Sequence, residues 1–392
     1  MNFERLKKYL DSLNCREGVK GGVCPGSNTV IYLKHEPIFS YSTGYDDIEA
    51  GAPTNPDKLY NLYSCTKITT ATAAMQLLER GIIAVNEPVS KYIPEFADIR
   101  VKVKNSEGKV IGSRPPKQPV LIRHLLTMTS GLPYSMHSPE LEELIEATDG
   151  RAPTLEVAKA MARHLLDFDP GAHYQYSESL DVMGAVIEVA TGEPFSEYVR
   201  KNIFDPLGMR CTTFRPDFSR PELFAAQYGY EGGRVVRWDI ARNPHRLGTE
   251  YDGGGAGLVS STNDYILLID ALANLGVGKN GKRILTERSV ELMRTPALGD
   301  EQYREFSVSY NTGYCYCYGV RACVDKTAAG TLSTLGAFGW DGWKMCFALI
   351  DPSIGLAVFH TQHLEGFHND IIPKLRNLIY YSLGKEEEDE EN

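Results

Sequence analysis

A serine and a lysine stand three residues apart in Ser64-Cys65-Thr66-Lys67, just ahead of a stretch composed to form a helix. From Ile68 to Glu79 the chain offers Ala71, Ala73, Ala74, Met75, Leu77 and Leu78, with no glycine or proline before Gly81. That composition predicts a buried helix. Positions i and i+3 are neighbours on a helix surface, with Cβ atoms about 5–6 Å apart. Lys67 therefore reaches the Ser64 hydroxyl if both lie in the helix or its first turn. A serine hydroxyl attacks poorly until a base takes its proton, and a partly desolvated lysine can be that base. The free N–H groups at a helix start also favour the negative charge that builds up during acyl transfer. The spacing by itself fits equally a serine N-cap followed by a surface lysine, so the rest of the chain has to decide.

The chain has 392 residues, more than one hydrophobic core usually serves, which predicts two subdomains. A hydrophobic content of 42% with 23% charged residues is that of an ordinary globular protein. No apolar run reaches the roughly 18–20 residues that a membrane span needs. The segment Met1 to Lys8 lacks the apolar core of a secretory signal, so a cytoplasmic protein is expected. Phe3, Leu6, Leu10 and Leu13 fall at helical spacing and predict a surface helix laid on the core. Free thiols are expected for the eight cysteines in this setting. Cys315 and Cys317 alternate with Tyr314, Tyr316 and Tyr318, which predicts one face of one strand. No second cysteine pair or histidine pair completes a metal set there, so neither metal nor cofactor is expected. His363 and His368 are read as surface or loop histidines. Half of the net charge of −10 sits in the tail from Lys385 to Asn392, expected to be disordered and solubilising. No basic stripe points to nucleic acid.

Asn28 to Leu33 and Pro37 to Tyr41 read as strands joined by a turn at Lys34-His35-Glu36. From Asn86 to about Arg200 the pattern is mostly helical, apart from a hairpin near 101–120. Leu258 to Leu275 reads as helix again. Short strands follow at Tyr314 to Val324, Thr334 to Gly339, Lys344 to Ile350 and Gly355 to Thr361, then a last helix from about Phe367 to Leu383. Strands at both ends with helices between them predict an α+β fold, in which both ends of the chain build one antiparallel sheet. The expected division is a discontinuous sheet subdomain, 1–85 with 255–384, a mostly helical insertion, 86–254, and the tail 385–392.

With these elements in place, the chain resembles the serine β-lactamase and penicillin-binding-protein superfamily, in its class C-like branch, over nearly its whole length. Ser64-Cys65-Thr66-Lys67 is similar to the nucleophile motif of those enzymes. Leu121-Ile122-Arg123-His124-Leu125-Leu126-Thr127-Met128-Thr129-Ser130-Gly131-Leu132 resembles a block beside their site. Pro170-Gly171 followed by Tyr176-Ser177-Glu178 resembles their Y-[AS]-N motif. Pro206-Leu207-Gly208-Met209 and Gly253 to Ser260 match two further blocks, and Gly339-Trp340-Asp341-Gly342 stands where the third active-site motif belongs. The resemblance implies Ser64 as nucleophile and Lys67 with Tyr176 as the proton-transfer pair. It leaves open which of the two is the base, because a neighbouring ammonium stabilises a phenolate. It further implies an oxyanion hole from the backbone N–H groups of Ser64 and Trp343, the latter on an edge strand.

Two positions depart from the family pattern. Glu178 replaces the usual Asn. It either pairs with Lys67, holding the lysine protonated and moving base duty towards Tyr176, or turns outward. Trp340 replaces the Lys or His that receives a substrate carboxylate, and a W-x-G third motif occurs in esterase-like members of the branch. Trp brings an apolar face and one N–H donor but no charge. The glycines on either side of it predict close approach to the backbone. Glu178, Trp340, Asp341 and Gly342 are the expected substrate contacts. Together these features imply a serine hydrolase acting through an acyl-enzyme on small esters or amides, with a small molecule as partner. The alternatives are a β-lactamase or D-amino-acid peptidase, an acyltransferase, or a non-catalytic, assembly-forming member.

Overall fold

Val30, Ile31, Leu349, Ile350, Val358 and Phe359 are all buried, although neighbours along a strand point to opposite faces. The sheet that carries them is therefore covered on both sides. The computed structural model describes residues 1–14, 24–231, 234–364 and 368–384; Cys15, the His368 side chain and the acidic tail lie outside the described residues.

The main sheet has eight strands. Across it run Tyr314–Tyr316, Arg321–Cys323, Phe338–Asp341, Phe347–Asp351, Leu356–Thr361, Gly26–Leu33, Glu36–Asp47 and Ala52–Pro53. All neighbours are antiparallel. The two ends of the chain meet in mid-sheet, where Val30 faces Phe359 and Ile31 faces Val358. The fold is the α+β arrangement expected from the strand–helix–strand order.

On one face, Leu6 and Leu10 of the helix Glu4–Ser12 join Ile371, Leu375 and Ile379 of the helix His368–Gly384 over Ile31, Leu349 and Val358. On the other face, the helices Thr66–Glu79 and Thr262–Ala273 cover Val30, Ile350 and Phe359. The Tyr265 ring lies 4.9 Å from that of Phe359. The first helix, with Phe3, Leu6, Leu10 and Leu13 on its inner side, is the surface helix that the spacing predicts.

Several elements differ from expectation. Tyr314 to Val324 forms a hairpin, Tyr314–Tyr316 against Arg321–Cys323, because Gly319 turns the chain at φ +72°. Cys317 therefore lies past the strand that holds Cys315, and the two share no strand face. The described cysteines are free. Val259–Ser261 is a strand paired with Leu59–Asn61, and the helix begins only at Thr262, where Ser261 Oγ accepts the Asp264 N–H at 3.1 Å. The hairpin expected near 101–120 is Arg100–Lys104 with Val110–Arg114. A second hairpin, Gln227–Glu231 with Arg234–Trp238, was not foreseen. His363 is in a loop but buried, bonded to the Asn61 N–H at 3.2 Å and to the Ala225 carbonyl at 3.1 Å. Its burial pushes its pKa down to about 3.

Candidate active site

Ser64 sits in a single 3-10 turn, Tyr63–Cys65, that runs straight into the helix Thr66–Glu79. Tyr63 enters that turn at φ +46°, a conformation that is uncommon for a non-glycine residue and is found at strained, functional turns. Every residue of the helix from Thr66 to Leu77 is buried. Its polar side chains are satisfied inside the protein: Thr70 donates to the Gly254 carbonyl at 2.6 Å, and Gln76 to those of Asn202 and Ile284 at 3.0 and 2.9 Å. A helix buried on all sides belongs in a core, and Ser64 sits in the turn directly ahead of this one.

Lys67 is buried, and its ammonium donates to Ser64 Oγ at 3.3 Å and to the Gly255 carbonyl at 2.7 Å. Tyr176 comes from the loop ahead of the helix Ser179–Thr191. Its hydroxyl donates to Ser64 Oγ at 2.6 Å, and its ring lies 4.6 Å from the Lys67 ammonium. The loop is fastened by the Gln175 N–H on the Met128 carbonyl at 2.9 Å and the Gly171 N–H on that of Thr129 at 2.7 Å. The block from Leu121 to Leu132 thus works as the support of Tyr176. Nucleophile, lysine and tyrosine meet as the spacing and the motifs predict.

The third motif is at the end of the strand Phe338–Asp341. Trp340 lies nearly parallel to Tyr176, with ring centroids 5.8 Å apart, and its indole N–H points at the tyrosine oxygen at 3.4 Å. A Cβ at Gly342 would meet the Leu62 carbonyl at 2.2 Å. The close approach foretold by the glycines is thus made by the backbone just before the nucleophile. The strand is third from the sheet edge, which corrects the edge-strand expectation. Its register with Arg321–Cys323 runs only to Gly339, while Trp340 and Asp341 continue to pair with Ala348 and Phe347 on the other side. Trp343 falls in the turn after the strand, and its N–H has no hydrogen-bond partner among the described residues.

Two expected substrate contacts are engaged inside the protein. Glu178 is fully buried and neither pairs with Lys67 nor turns outward. It accepts the Ser135 N–H and lies 3.6 Å from His164 Nδ1. Burial, then the charge of Asp181, pushes its pKa up to about 8. Asp341 is buried in a pair with Arg321, at 2.6 and 2.7 Å. Asp341 and its strand neighbour Trp340 both border the cleft.

Asp181 escaped the sequence reading. It is buried, and its Oδ1 accepts from the Tyr251 hydroxyl at 2.6 Å and the Gly255 N–H at 3.1 Å. The same Gly255 peptide offers its carbonyl to Lys67. Burial raises the Asp181 pKa, and the Lys67 ammonium, the Tyr251 hydroxyl and the Gly255 N–H oppose that rise. The usable signal was the run Gly253-Gly254-Gly255, since a Cβ at Gly255 would come within 2.3 Å of the Asp181 carboxylate.

Ser64 opens into a cleft of about 580 Å³ walled by Tyr134, Tyr174, Tyr176, Phe306, Trp340 and Trp343. No lysine or arginine is among its described lining residues; Glu305 and the paired Asp341 are its only carboxylates. His245, also on the wall, is 3.3 Å from the Tyr134 hydroxyl, and burial, then the Lys67 charge, lowers its pKa to about 4. Among the described residues, one group could gather round a metal ion, His173 with Glu301 and Glu305. It is on the cleft rim, where His173 already bonds Glu305 at 2.6 Å.

A serine held by a lysine and a tyrosine, between a buried helix and the end of an antiparallel strand, defines the acyl-transfer class of the serine β-lactamases and penicillin-binding proteins. The chain belongs to the beta-lactamase family, whose model matches residues 14–371, and is a serine hydrolase of that fold. It is 30% identical to Esterase EstB of Burkholderia gladioli over 383 residues, covering 91% of this chain and 90% of the esterase. Among solved structures it superposes on simvastatin synthase (LovD) of Aspergillus terreus with TM-score 0.77 at 24% identity, covering 97% and 99% of the two chains. EstCE1, described as a hydrolase with promiscuous acyltransferase activity, gives TM-score 0.72 at 23% identity over 91% and 94%. No helix among the described residues is long and apolar enough to cross a membrane.

Proposed function

We propose that the protein hydrolyses small uncharged esters, and amides more slowly, through an acyl-enzyme on Ser64. The carrying observation is that Ser64 Oγ receives hydrogen bonds from both Tyr176 and Lys67, at 2.6 and 3.3 Å. Lys67 donates to two oxygens, those of Ser64 and Gly255. In the reacting form the direction of the Tyr176–Ser64 bond reverses: the Ser64 hydroxyl donates to a Tyr176 phenolate, which the neighbouring Lys67 ammonium stabilises and which takes the serine proton. Ser64 Oγ bonds to the substrate carbonyl carbon as its proton passes to Tyr176. The carbonyl oxygen becomes an oxyanion facing the Ser64 and Trp343 N–H groups. The carbon–oxygen bond to the leaving group breaks, and the proton returns to the departing alkoxide. Water then repeats the sequence on the acyl-enzyme, releasing the acid and restoring Ser64.

The absence of a lysine or arginine among the described lining residues supports an acyl or alcohol part without a carboxylate, and weighs against efficient β-lactam or peptide C-terminus recognition. Acyl transfer to an alcohol in place of water is the second reading. A cleft of about 580 Å³ is roomy enough for an organic acceptor, and the EstCE1 description lends it weight. The free thiols support a cytoplasmic location.

Ser64→Ala is expected to abolish turnover of a short-chain nitrophenyl ester and labelling by a fluorophosphonate, while labelled penicillin gives a weak adduct or none with either form. Equal inactivity of both forms on a broad ester and amide panel would sink the hydrolase reading. Adding alcohols and measuring new ester against free acid separates transfer from hydrolysis.

A further inference from the structure

Behind the Trp343 turn lies another buried cation, outside the hydrogen bonds of Ser64. Lys344 is completely buried, and its ammonium donates to the Tyr228 carbonyl at 2.6 Å. It lies 3.4 Å from the centroid of the Trp238 ring and 4.7 Å from that of Trp343. The two indoles are 5.9 Å apart, and the Arg242 guanidinium stands 3.9 Å from Trp238. A cation against indole faces is attracted by their quadrupoles, more strongly where water is excluded.

Tyr228 and Trp238 belong to the hairpin Gln227–Glu231 with Arg234–Trp238. The hairpin holds Trp238 tightly, since a Cβ at Gly229 would come within 2.3 Å of the indole. Gln227 of the same hairpin accepts the Tyr63 hydroxyl and donates to the Asp239 and Arg242 carbonyls at 3.1 and 2.9 Å. Tyr63 precedes Ser64, and its ring meets Trp343 edge-on at 5.4 Å. One hairpin therefore fastens the residue before Ser64 and the residue after Trp343.

We propose that Lys344 is a positioning residue that locks the Trp343 turn to this hairpin and so keeps the Trp343 N–H aimed at the oxyanion. This rests on Ser64 and Trp343 forming the oxyanion hole. Neither Lys344 nor Trp238 is among the described residues that line the cleft. Their loss is thus expected in kcat and in binding of tetrahedral adducts, with ground-state binding kept.

Lys344→Met is compared with wild type for kcat and KM on a nitrophenyl ester and for inhibition by phenylboronic acid, which forms a tetrahedral adduct on a serine. A misplaced donor is expected to lower kcat by about 10- to 100-fold, to weaken the boronate by the same factor, and to leave KM within about twofold. A folded variant with unchanged boronate affinity overturns the proposal, whatever its kcat. A wild-type enzyme that binds the boronate no better than benzyl alcohol overturns the oxyanion reading itself, and the Lys344 role with it. Trp238→Phe covers the case in which Lys344→Met does not fold. It is expected to lower kcat and boronate affinity together by about three- to tenfold, and values equal to wild type overturn the proposal.

Discussion

Glu178 and Asp181 stand three residues apart at the start of one helix, both buried and both carboxylates, yet their surroundings are opposite. Asp181 has a hydroxyl and an amide donor on one oxygen and the Lys67 ammonium close enough to oppose its rise in pKa. Glu178 has one amide donor, and its second oxygen and the facing His164 Nδ1 make no hydrogen bond. Burying a charge is costly unless it is paired and hydrogen-bonded. Asp181 has the donors that favour its charge, whereas burial, then Asp181, pushes the Glu178 pKa up to about 8. Of two like groups on one helix turn, one serves the lysine of the site and the other is a neutral part of the core behind it.

Removing the Asp181 charge should therefore do most. Asp181→Asn keeps the shape but removes the charge that strengthens its bonds to Tyr251 and Gly255 and faces the Lys67 ammonium; a hydrogen bond to a charged group is worth about 1.5–3 kcal/mol. Steady-state kinetics on a nitrophenyl ester should show kcat down by about 100-fold, with 1.4 kcal/mol counted per factor of ten. A folded variant with wild-type kcat would erase the distinction between the two carboxylates.

Gly255→Ala comes next. The added methyl would crowd the Asp181 carboxylate, and overpacking of this kind costs about 1–3 kcal/mol. Denaturant unfolding should show that loss, with a fall in kcat smaller than that of Asp181→Asn. A stable variant with full activity would show that the Gly255 peptide does not tie Asp181 to Lys67.

Glu178→Gln should change activity least, leaving kcat within about twofold of wild type. Its mark is on stability against pH. The folded pKa of about 8 exceeds the ordinary value of 4.5, so the native state keeps a proton that the unfolded chain releases between those values. The stability this contributes is whole below about pH 4.5 and is lost as pH rises through 8. Gln cannot ionise, so its Tm should gain on that of wild type as pH goes from 5 to 8, about 2 °C for each kcal/mol recovered. A Tm difference that does not vary with pH would mean that Glu178 is ionised throughout.

Much of this molecule was legible in its residues. The two-ended antiparallel sheet followed from the alternating strands near both termini, Ser64 and Lys67 from their types and spacing, and Tyr176 from the resemblance of its motif to the family's. The carboxylates were not separable in the same way. Glu178 occupied the motif position and drew the role, while Asp181 read as one more polar residue on a helix. The hairpin Gln227–Trp238 left a signal in its alternating residues around Gly232-Gly233, of the kind that marks a hairpin. Its purpose, clamping Tyr63 and Lys344, left none. Tyr314 to Val324 read as one strand because its residues suit a strand throughout; the turn at Gly319 is held by packing against Ala71, whose Cβ a side chain there would strike at 2.7 Å.

The sequence by itself determined whatever depends on near neighbours. Helical geometry alone puts Lys67 within reach of Ser64. Tertiary structure decided which groups are charged and which are free to act. Tyr176 and Gly255 reach Ser64 and Lys67 from more than a hundred residues away, and Trp340 and Asp181 bond to those two in turn. Burial and the count of donors, which no local pattern contains, then make Asp181 a partner for the lysine and Glu178 a neutral neighbour.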